Sequence, residues 1–242
     1  AGSPADFVLR SYNENGDGVH LVIEHEQRCE EATLALSGGY QRHNALCAVA
    51  VAVTTGVPFQ QAVFGLTGVS QIKGRMECVG KTSRGGVVYV DYAHTDDALA
   101  SALSAAGRAH PGRTISVVFG CGGERDPGKR SKMGAVAKRL ADRIYVTDDN
   151  PRNDDAGAIR RQILEGCIGE VSNAVVIEEP SRKDAIWAAI SDLTGPGVLV
   201  IAGKGHEDYQ EVQGRKWAFS DQNVAREALE RAVQIEDTEL AS

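Results

Sequence analysis

Four short strings carry most of the chemistry that this sequence can offer. They are Asp91-Tyr92-Ala93-His94, Gly120-Cys121-Gly122-Gly123-Glu124-Arg125-Asp126, Thr147-Asp148-Asp149-Asn150-Pro151-Arg152 and Gly203-Lys204-Gly205-His206-Glu207. Within the third string, a carboxylate (Asp149), an amide (Asn150) and a guanidinium (Arg152) fall inside four residues. Pro151 fixes its own φ and pushes Asn150 toward an extended backbone, so these groups are presented stiffly. A guanidinium suits bidentate recognition of a planar carboxylate and an aspartate suits an ammonium, so the string can read the zwitterionic end of an amino acid. Gly203 and Gly205 let the backbone approach a ligand closely, and Glu207 offers a carboxylate for a second ammonium. Arg125 offers an anion clamp. His94 is a candidate general base, phosphate contact or helix cap. Lys204 and His206 receive no role.

Other readings of the same residues are weaker. Gly123 to Lys129 has the GxxxxGK spacing of a phosphate loop, but Arg130 follows where a Mg²⁺-ligating hydroxyl belongs, and Pro127 lacks one of the required N–H groups. The expectation is a loop that presents Arg125 and then starts a helix, with Lys129, Arg130 and Lys132 as solvated charge. Asp148 and Asp154 read as turn residues, with Asn150 or Asp154 capping the next helix. His94, His206, Asp91 and Glu207 match no closed metal motif, so no metal site is expected.

The elements that must position these strings follow from a cycle that starts near Val87: a short β-branched run, a turn, then a longer Ala-rich stretch. Apolar runs at 87–90, 115–119, 144–146, 174–177 and 198–201 are nearly continuous, as in strands covered on both faces. Helices are expected at about 97–109, 132–141, 156–166, 182–192 and 222–235. This is the rhythm of a doubly wound, mostly parallel α/β sheet. Each string directly follows one of the strands. Open α/β folds bind ligands at the C-terminal edge of their strands, so the four strings should line one cleft.

The first 73 residues differ, with strands of an antiparallel meander at 19–24 and 33–36 and helices at 44–55 and 59–64. So small and strand-poor a piece reads as the end of a larger domain, and Ala1-Gly2-Ser3 as a processing or cloning scar. Residues 1–73 and 74–242 are thus the expected domains. Ser83-Arg84-Gly85-Gly86 is the best linker or hairpin candidate.

Composition narrows the function classes. The formal net charge of the 242 residues is -7, which argues against a nucleic-acid-binding domain. No apolar run approaches membrane-spanning length, and no secretory signal is evident. Five cysteines without a CxxC pair fit a reducing cytoplasm better than a disulfide framework.

Taken in order, Gly39-Tyr40-Gln41-Arg42-His43-Asn44-Ala45-Leu46, Gly74-Arg75-Met76-Glu77 and the four strings resemble the Mur ligases, most closely the diaminopimelate-adding MurE type. The resemblance covers nearly the whole chain. It implies a Rossmann-like amino-acid-binding domain at 74–242, preceded by the end of a central ATPase domain. It also implies ATP with Mg²⁺, and meso-diaminopimelate and UDP-MurNAc-L-Ala-D-Glu as substrates in peptidoglycan synthesis in the cytoplasm. Asn44 would contact adenine, Arg75 and Asp91 the ribose and phosphates, and His94 would border the nucleotide. Arg125, Asp149, Asn150, Arg152, Gly203 and Glu207 would hold the incoming amino acid, with Arg152 marking diaminopimelate rather than lysine. The family's phosphate loop and carbamylated lysine have no counterpart before Gly38, so no catalytic residue is expected in these 242 residues, which alone should be inactive. Asp96 stands where relatives commonly have Pro, at no expected cost. Gln222 stands where relatives often have Arg. The alternatives are a non-catalytic amino-acid-binding module, or a lysine-adding, MurF or folylpolyglutamate synthase-like ligase.

Overall fold

Alternation of apolar and polar residues builds the first part of the chain. In the computed structural model, which describes residues 6–15, 18–36, 41–168 and 172–240, β1 (Phe7–Asn15), β2 (Gly18–His25) and β3 (Arg28–Leu34) form an antiparallel sheet. Every second residue of β2, Val19, Leu21 and Ile23, is buried, together with Ala32 and Leu34. The helices α1 (Gln41–Thr54) and α2 (Phe59–Gly65) contribute Ala45, Val49 and Val63 to the same core. Two strand expectations need correction. β1 was not foreseen, and β3 runs over Arg28–Leu34 rather than 33–36. The β2–β3 turn is Glu26-Gln27, both at positive φ (48° and 63°), a type I′ geometry built without the usual Asn or Gly, so it leaves no turn signal. Ala1-Gly2-Ser3 and the Gly39-Tyr40 end of its string lie outside the described residues. The chain divides into two compact units, Ala1–Ile72 and Lys73–Ser242.

The second unit is a six-stranded sheet in the order β4-β5-β9-β6-β7-β8. Its strands are β4 (Glu77–Lys81), β5 (Val87–Asp91), β6 (Ile115–Phe119), β7 (Arg143–Val146), β8 (Val175–Glu178) and β9 (Val198–Ala202). All pairings are parallel except that of β4 with β5, whose hairpin turn is the Ser83–Gly86 string. β5, β6 and β9 are buried at every position, as the unbroken apolar runs require. α3 (Asp96–Ala109), α4 (Gly128–Leu140) and α5 (Ala156–Ile168) pack side by side. α6 (Arg182–Ser191) and α7 (Asp221–Leu240) share a core with Val88, Val90, Val118, Leu199 and Ile201. A two-stranded hairpin, β10 (Tyr209–Val212) with β11 (Arg215–Ala218), completes the unit.

Further corrections concern local signals. α4 begins at Gly128, four residues before the expected start, because Pro127 serves as its N-cap. α5 is opened by neither Asn150 nor Asp154: Asp155 Oδ1 accepts from Gly157 N at 2.9 Å. β4 and the β10–β11 hairpin were also missed. No helix among the described residues is long and apolar enough to cross a membrane.

Glycine sets the spacing of the α4–α5 pair. A Cβ on Gly134 would sit 2.0 Å from Ile163 O, and one on Gly166 1.8 Å from Ser131 O. Backbone meets backbone at both points, so neither contact relaxes by a rotamer change. Gly166→Val is expected to cost about 3 kcal/mol by overpacking. Urea unfolding of the variant measures this; an unchanged midpoint would show that the helices separate without penalty.

Candidate functional site

Four adjacent strands end on one edge, and the loops that follow β5, β9, β6 and β7 line a single cavity of about 460 Å³. Its wall includes His94, Thr95 and Asp96 after β5, Gly120, Cys121, Gly122, Arg125 and Asp126 after β6, Asp149, Asn150 and Arg152 after β7, and Gly203 and Glu207 after β9. The four strings therefore converge as their placement at strand ends requires. β9 is the last strand in sequence but lies between β5 and β6, which brings Gly203 and Glu207 into the middle of the row.

Asn150 organises the floor. Its Oδ1 accepts from Lys204 Nζ at 2.7 Å and from Glu211 N at 2.9 Å, while its Nδ2 donates to Glu207 Oε2 at 2.8 Å. Asp149 is 7% exposed and lies 3.7 Å from Lys204 Nζ. Gly203 has φ 116°, and a Cβ there would meet Asp149 Oδ2 at 2.5 Å. The glycine leaves room for that carboxylate. Arg152 donates through Nη1 to Gly123 O at 2.8 Å, and its Nε lies 3.4 Å from Glu211 Oε2. Arg125 is exposed at the rim and donates to Glu124 O. The cavity thus sets the carboxylates of Asp96, Asp126, Asp149 and Glu207 beside Lys129 and the guanidinium groups of Arg125 and Arg152, a match for a ligand with both ammonium and carboxylate groups.

The other candidate residues sit as follows. Asp91 is spent locally: Oδ2 accepts from Met76 N at 2.7 Å and Oδ1 from Ala93 N at 2.8 Å, tying β5 to the turn where Met76 has φ 45°. Arg75 stacks over the Tyr92 ring, 4.6 Å from its centroid. His94 Nδ1 donates to Tyr92 O at 2.8 Å, which makes Nε2 the basic nitrogen of the neutral ring. In the first unit, Asn44 is exposed on α1 and donates to Gln41 Oε1, while the buried Gln41 Nε2 has no partner. No group of three or more His, Cys, Asp or Glu side chains that could hold a metal ion occurs among the described residues.

Several expectations fail here for a common reason, that loop charges pair across the fold. Arg130 is buried, not solvated; it donates to Gln162 Oε1, Gly122 O and Asp154 Oδ2. Lys129 lines the cavity and donates to His94 O at 2.7 Å. Asp148 pairs with Arg160. Asp154 accepts from Glu124 N as well as from Arg130. Gln222 is buried and donates to Glu77 Oε2 and Gly205 O, both at 2.9 Å.

The sequence reading missed two contributors outright. The β10–β11 hairpin backs the third string: Gln210 Nε2 donates to Asp149 O, Arg152 N to Glu211 O and Gln213 N to Arg152 O. Its signal was Gln213-Gly214 between two alternating segments, with both residues at positive φ. Lys204 is fully buried beneath the cavity, where burial pushes its ammonium below the ordinary lysine range against the opposing pull of Asp149. Burial also pushes the Cys121 thiol up to about 12, so this cavity-lining cysteine is held protonated and is no nucleophile at neutral pH.

Comparison with known proteins agrees with this architecture. Residues 74–205 match the family model described as "Mur ligase, glutamate ligase domain". The chain is 47% identical over 207 residues to the UDP-N-acetylmuramoyl-L-alanyl-D-glutamate--2,6-diaminopimelate ligase of Chelativorans sp. (strain BNC1), covering 86% of this chain and 41% of that protein. It is 42% identical over 241 residues to the ligase of the same name from Agrobacterium fabrum, covering 95% and 48%. A solved structure of a ligase of that name aligns with TM-score 0.62 at 30% identity, covering 95% of this chain and 46% of the other. MurC from Thermotoga maritima shares the fold at TM-score 0.67 and 16% identity, covering 96% and 47%. The chain spans about half the length of the curated relatives it matches. The match to the family model over more than half of its residues, and the high identity to MurE-type relatives beyond it, establish that the chain belongs to the Mur ligase family.

Proposed function

We propose that this chain forms the amino-acid-binding part of a ligase that adds meso-diaminopimelate to UDP-MurNAc-L-Ala-D-Glu in peptidoglycan synthesis. The observation that carries the reading is the convergence of Arg125, Asp149, Asn150, Arg152, Gly203 and Glu207 on one cavity. Arg152 and Arg125 would take carboxylates, Asp149 and Glu207 an ammonium, and Asn150 would hold Glu207 in place. A substrate with two zwitterionic ends asks for this mixture, whereas a lysine side chain brings only an ammonium that Arg152 repels.

ATP is the co-substrate in this reading: its terminal phosphoryl group passes to the glutamate side-chain carboxylate, leaving ADP, and the amine of diaminopimelate attacks the resulting acyl phosphate, forming the amide and releasing phosphate. The chain's own contribution is positioning, by holding the amine at the acyl carbon. On α1, the exposed Asn44 amide beside the unpartnered Gln41 Nε2 suits a purine edge. In the second unit, Arg75 and His94 would face ribose or phosphate, with Asp91 shaping the turn that carries Arg75. Among the described residues no group of three or more His, Cys, Asp or Glu side chains could hold Mg²⁺. Residues 1–73 would be the end of the central ATPase domain and 74–242 the amino-acid domain. The setting would be the cytoplasm, in line with five cysteines that form no disulfide among the described residues.

The 242-residue polypeptide alone is expected to show no phosphate release dependent on ATP and diaminopimelate. Its one GxxxxGK spacing leads into Arg130, a buried guanidinium bonded to Asp154 and Gln162, where a phosphate loop needs a free hydroxyl. A phosphate-release assay measures this, and appreciable turnover would overturn the expectation. Calorimetric titration of the chain with meso-diaminopimelate and with lysine tests the substrate reading itself. A preference for lysine would remove it.

A further inference from the structure

Lys204 lies beneath the cavity, out of a ligand's reach, and nothing in the proposed reaction uses it. Lys204 is 0% exposed, yet its ammonium is the hub of the floor. It donates to Asn150 Oδ1 at 2.7 Å and to Tyr209 O at 2.8 Å, and lies 3.7 Å from Asp149 Oδ1 and 3.9 Å from Glu207 Oε2.

Two consequences follow. The first concerns the Asn150 amide, whose two ends are nearly alike in shape. With Lys204 Nζ and Glu211 N both donating to one end, that end is the oxygen, and the nitrogen is turned to Glu207. The second concerns charge. Arg182 and Asp221 neutralise each other through Nε to Oδ1 at 2.7 Å and Nη2 to Oδ2 at 2.8 Å, and Arg152 is paired with Glu211. At the floor, Lys204 lies within ion-pair distance of both Asp149 and Glu207, and these three groups together carry one negative charge. One ligand ammonium neutralises it. Without Lys204 the two carboxylates would form a like-charge pair over a buried floor.

We propose that Lys204 is a positioning residue of the amino-acid cavity: it orients the Asn150 amide toward Glu207 and holds Asp149 and Glu207 as a pair that accepts one ammonium of the ligand. This rests on the reading of the cavity as an amino-acid site, and the test separates the two.

Lys204→Met fills the same space without donors or charge. In the full chain it is expected to weaken meso-diaminopimelate binding by roughly 10- to 100-fold, the range for losing hydrogen bonds to a charged group. Binding of 2-aminopimelate, which has a single ammonium, should weaken less, so the preference between the two ligands collapses. A merely structural role would weaken both alike. Independently of any ligand, the Asn150 side-chain NH₂ resonances in a ¹⁵N correlation spectrum should shift in the variant. Unmoved resonances, or an unchanged preference in a variant of native fold, would overturn the proposal. If the parent chain binds no diaminopimelate, the substrate reading falls, and the Asn150 resonances still decide whether Lys204 orients the amide. Lys204→Gln, which keeps a donor but no charge, takes the place of methionine should that variant not fold; it is expected to keep the Asn150 shifts and lose the ligand preference, and the converse would overturn the proposal.

Discussion

Arg182→Met is expected to destabilise the second unit by about 3–5 kcal/mol, because it strands a buried carboxylate. Arg182 and Asp221 both have fully buried side chains and meet in a two-pronged contact, and Arg182 Nη2 also donates to Ala202 O at 2.9 Å. Removing the guanidinium leaves Asp221 uncompensated at the first turn of α7. Against a typical stability of about 5–15 kcal/mol, such a loss unfolds a large fraction of molecules at modest denaturant. The double variant Arg182→Met, Asp221→Leu should recover most of it, since an apolar pair of similar volume needs no desolvation of charge. Urea unfolding of the parent, the single and the double variant decides the matter. A single-variant cost below about 1 kcal/mol would mean that water reaches the pair.

Arg152→Ala is expected to weaken meso-diaminopimelate binding by about 100-fold while leaving lysine within about twofold, as befits the loss of a charge-assisted, two-pronged contact to a carboxylate that lysine's side chain lacks. The backbone supports this assignment. Arg152 has φ 52°, a left-handed conformation that arginine seldom adopts, and it is held there by Arg152 N donating to Glu211 O and by Gln213 N donating to Arg152 O. Such strain costs about 1–3 kcal/mol and persists where a side chain must point in one direction. Arg152→Gly fits the backbone better, so it should lose the same affinity with a smaller loss of stability than Arg152→Ala. Calorimetry with both ligands and a thermal scan of each variant measure the two effects. Retained diaminopimelate affinity in Arg152→Ala would remove the guanidinium from the substrate contacts and with it the argument against lysine.

The sheet of the second unit was legible because its signals are local. Val87-Val88-Tyr89-Val90 and Val198-Leu199-Val200-Ile201 announce strands buried on both faces, and the Ala-rich stretches between such runs announce helices. The rule that parallel strands end on a common edge then assembled Arg125, Asp149, Arg152, Gly203 and Glu207 in principle, before any coordinates. The hairpins resisted the same treatment. Glu26-Gln27 turns the chain with residues that carry no turn preference, and β1 and β4 are edge strands whose identity depends on a partner found elsewhere in the sequence.

What the sequence determined by itself was the set of chemical groups and the edge on which they gather. Tertiary structure alone decided which of them face a ligand and which serve the fold. Arg130, Asp148 and Asp154 carry the same charges as Arg125 and Asp149, yet each is consumed by a partner 12 to 32 residues away, through contacts that no local pattern encodes. Lys204 is the sharpest case: in the chain it is one more lysine between two glycines, and only the insertion of β9 between β5 and β6 puts it beneath Asn150, Asp149 and Glu207. The reason is physical. Secondary structure follows from forces between neighbours along the chain, whereas the state and orientation of a buried charge follow from whichever distant groups replace its lost water.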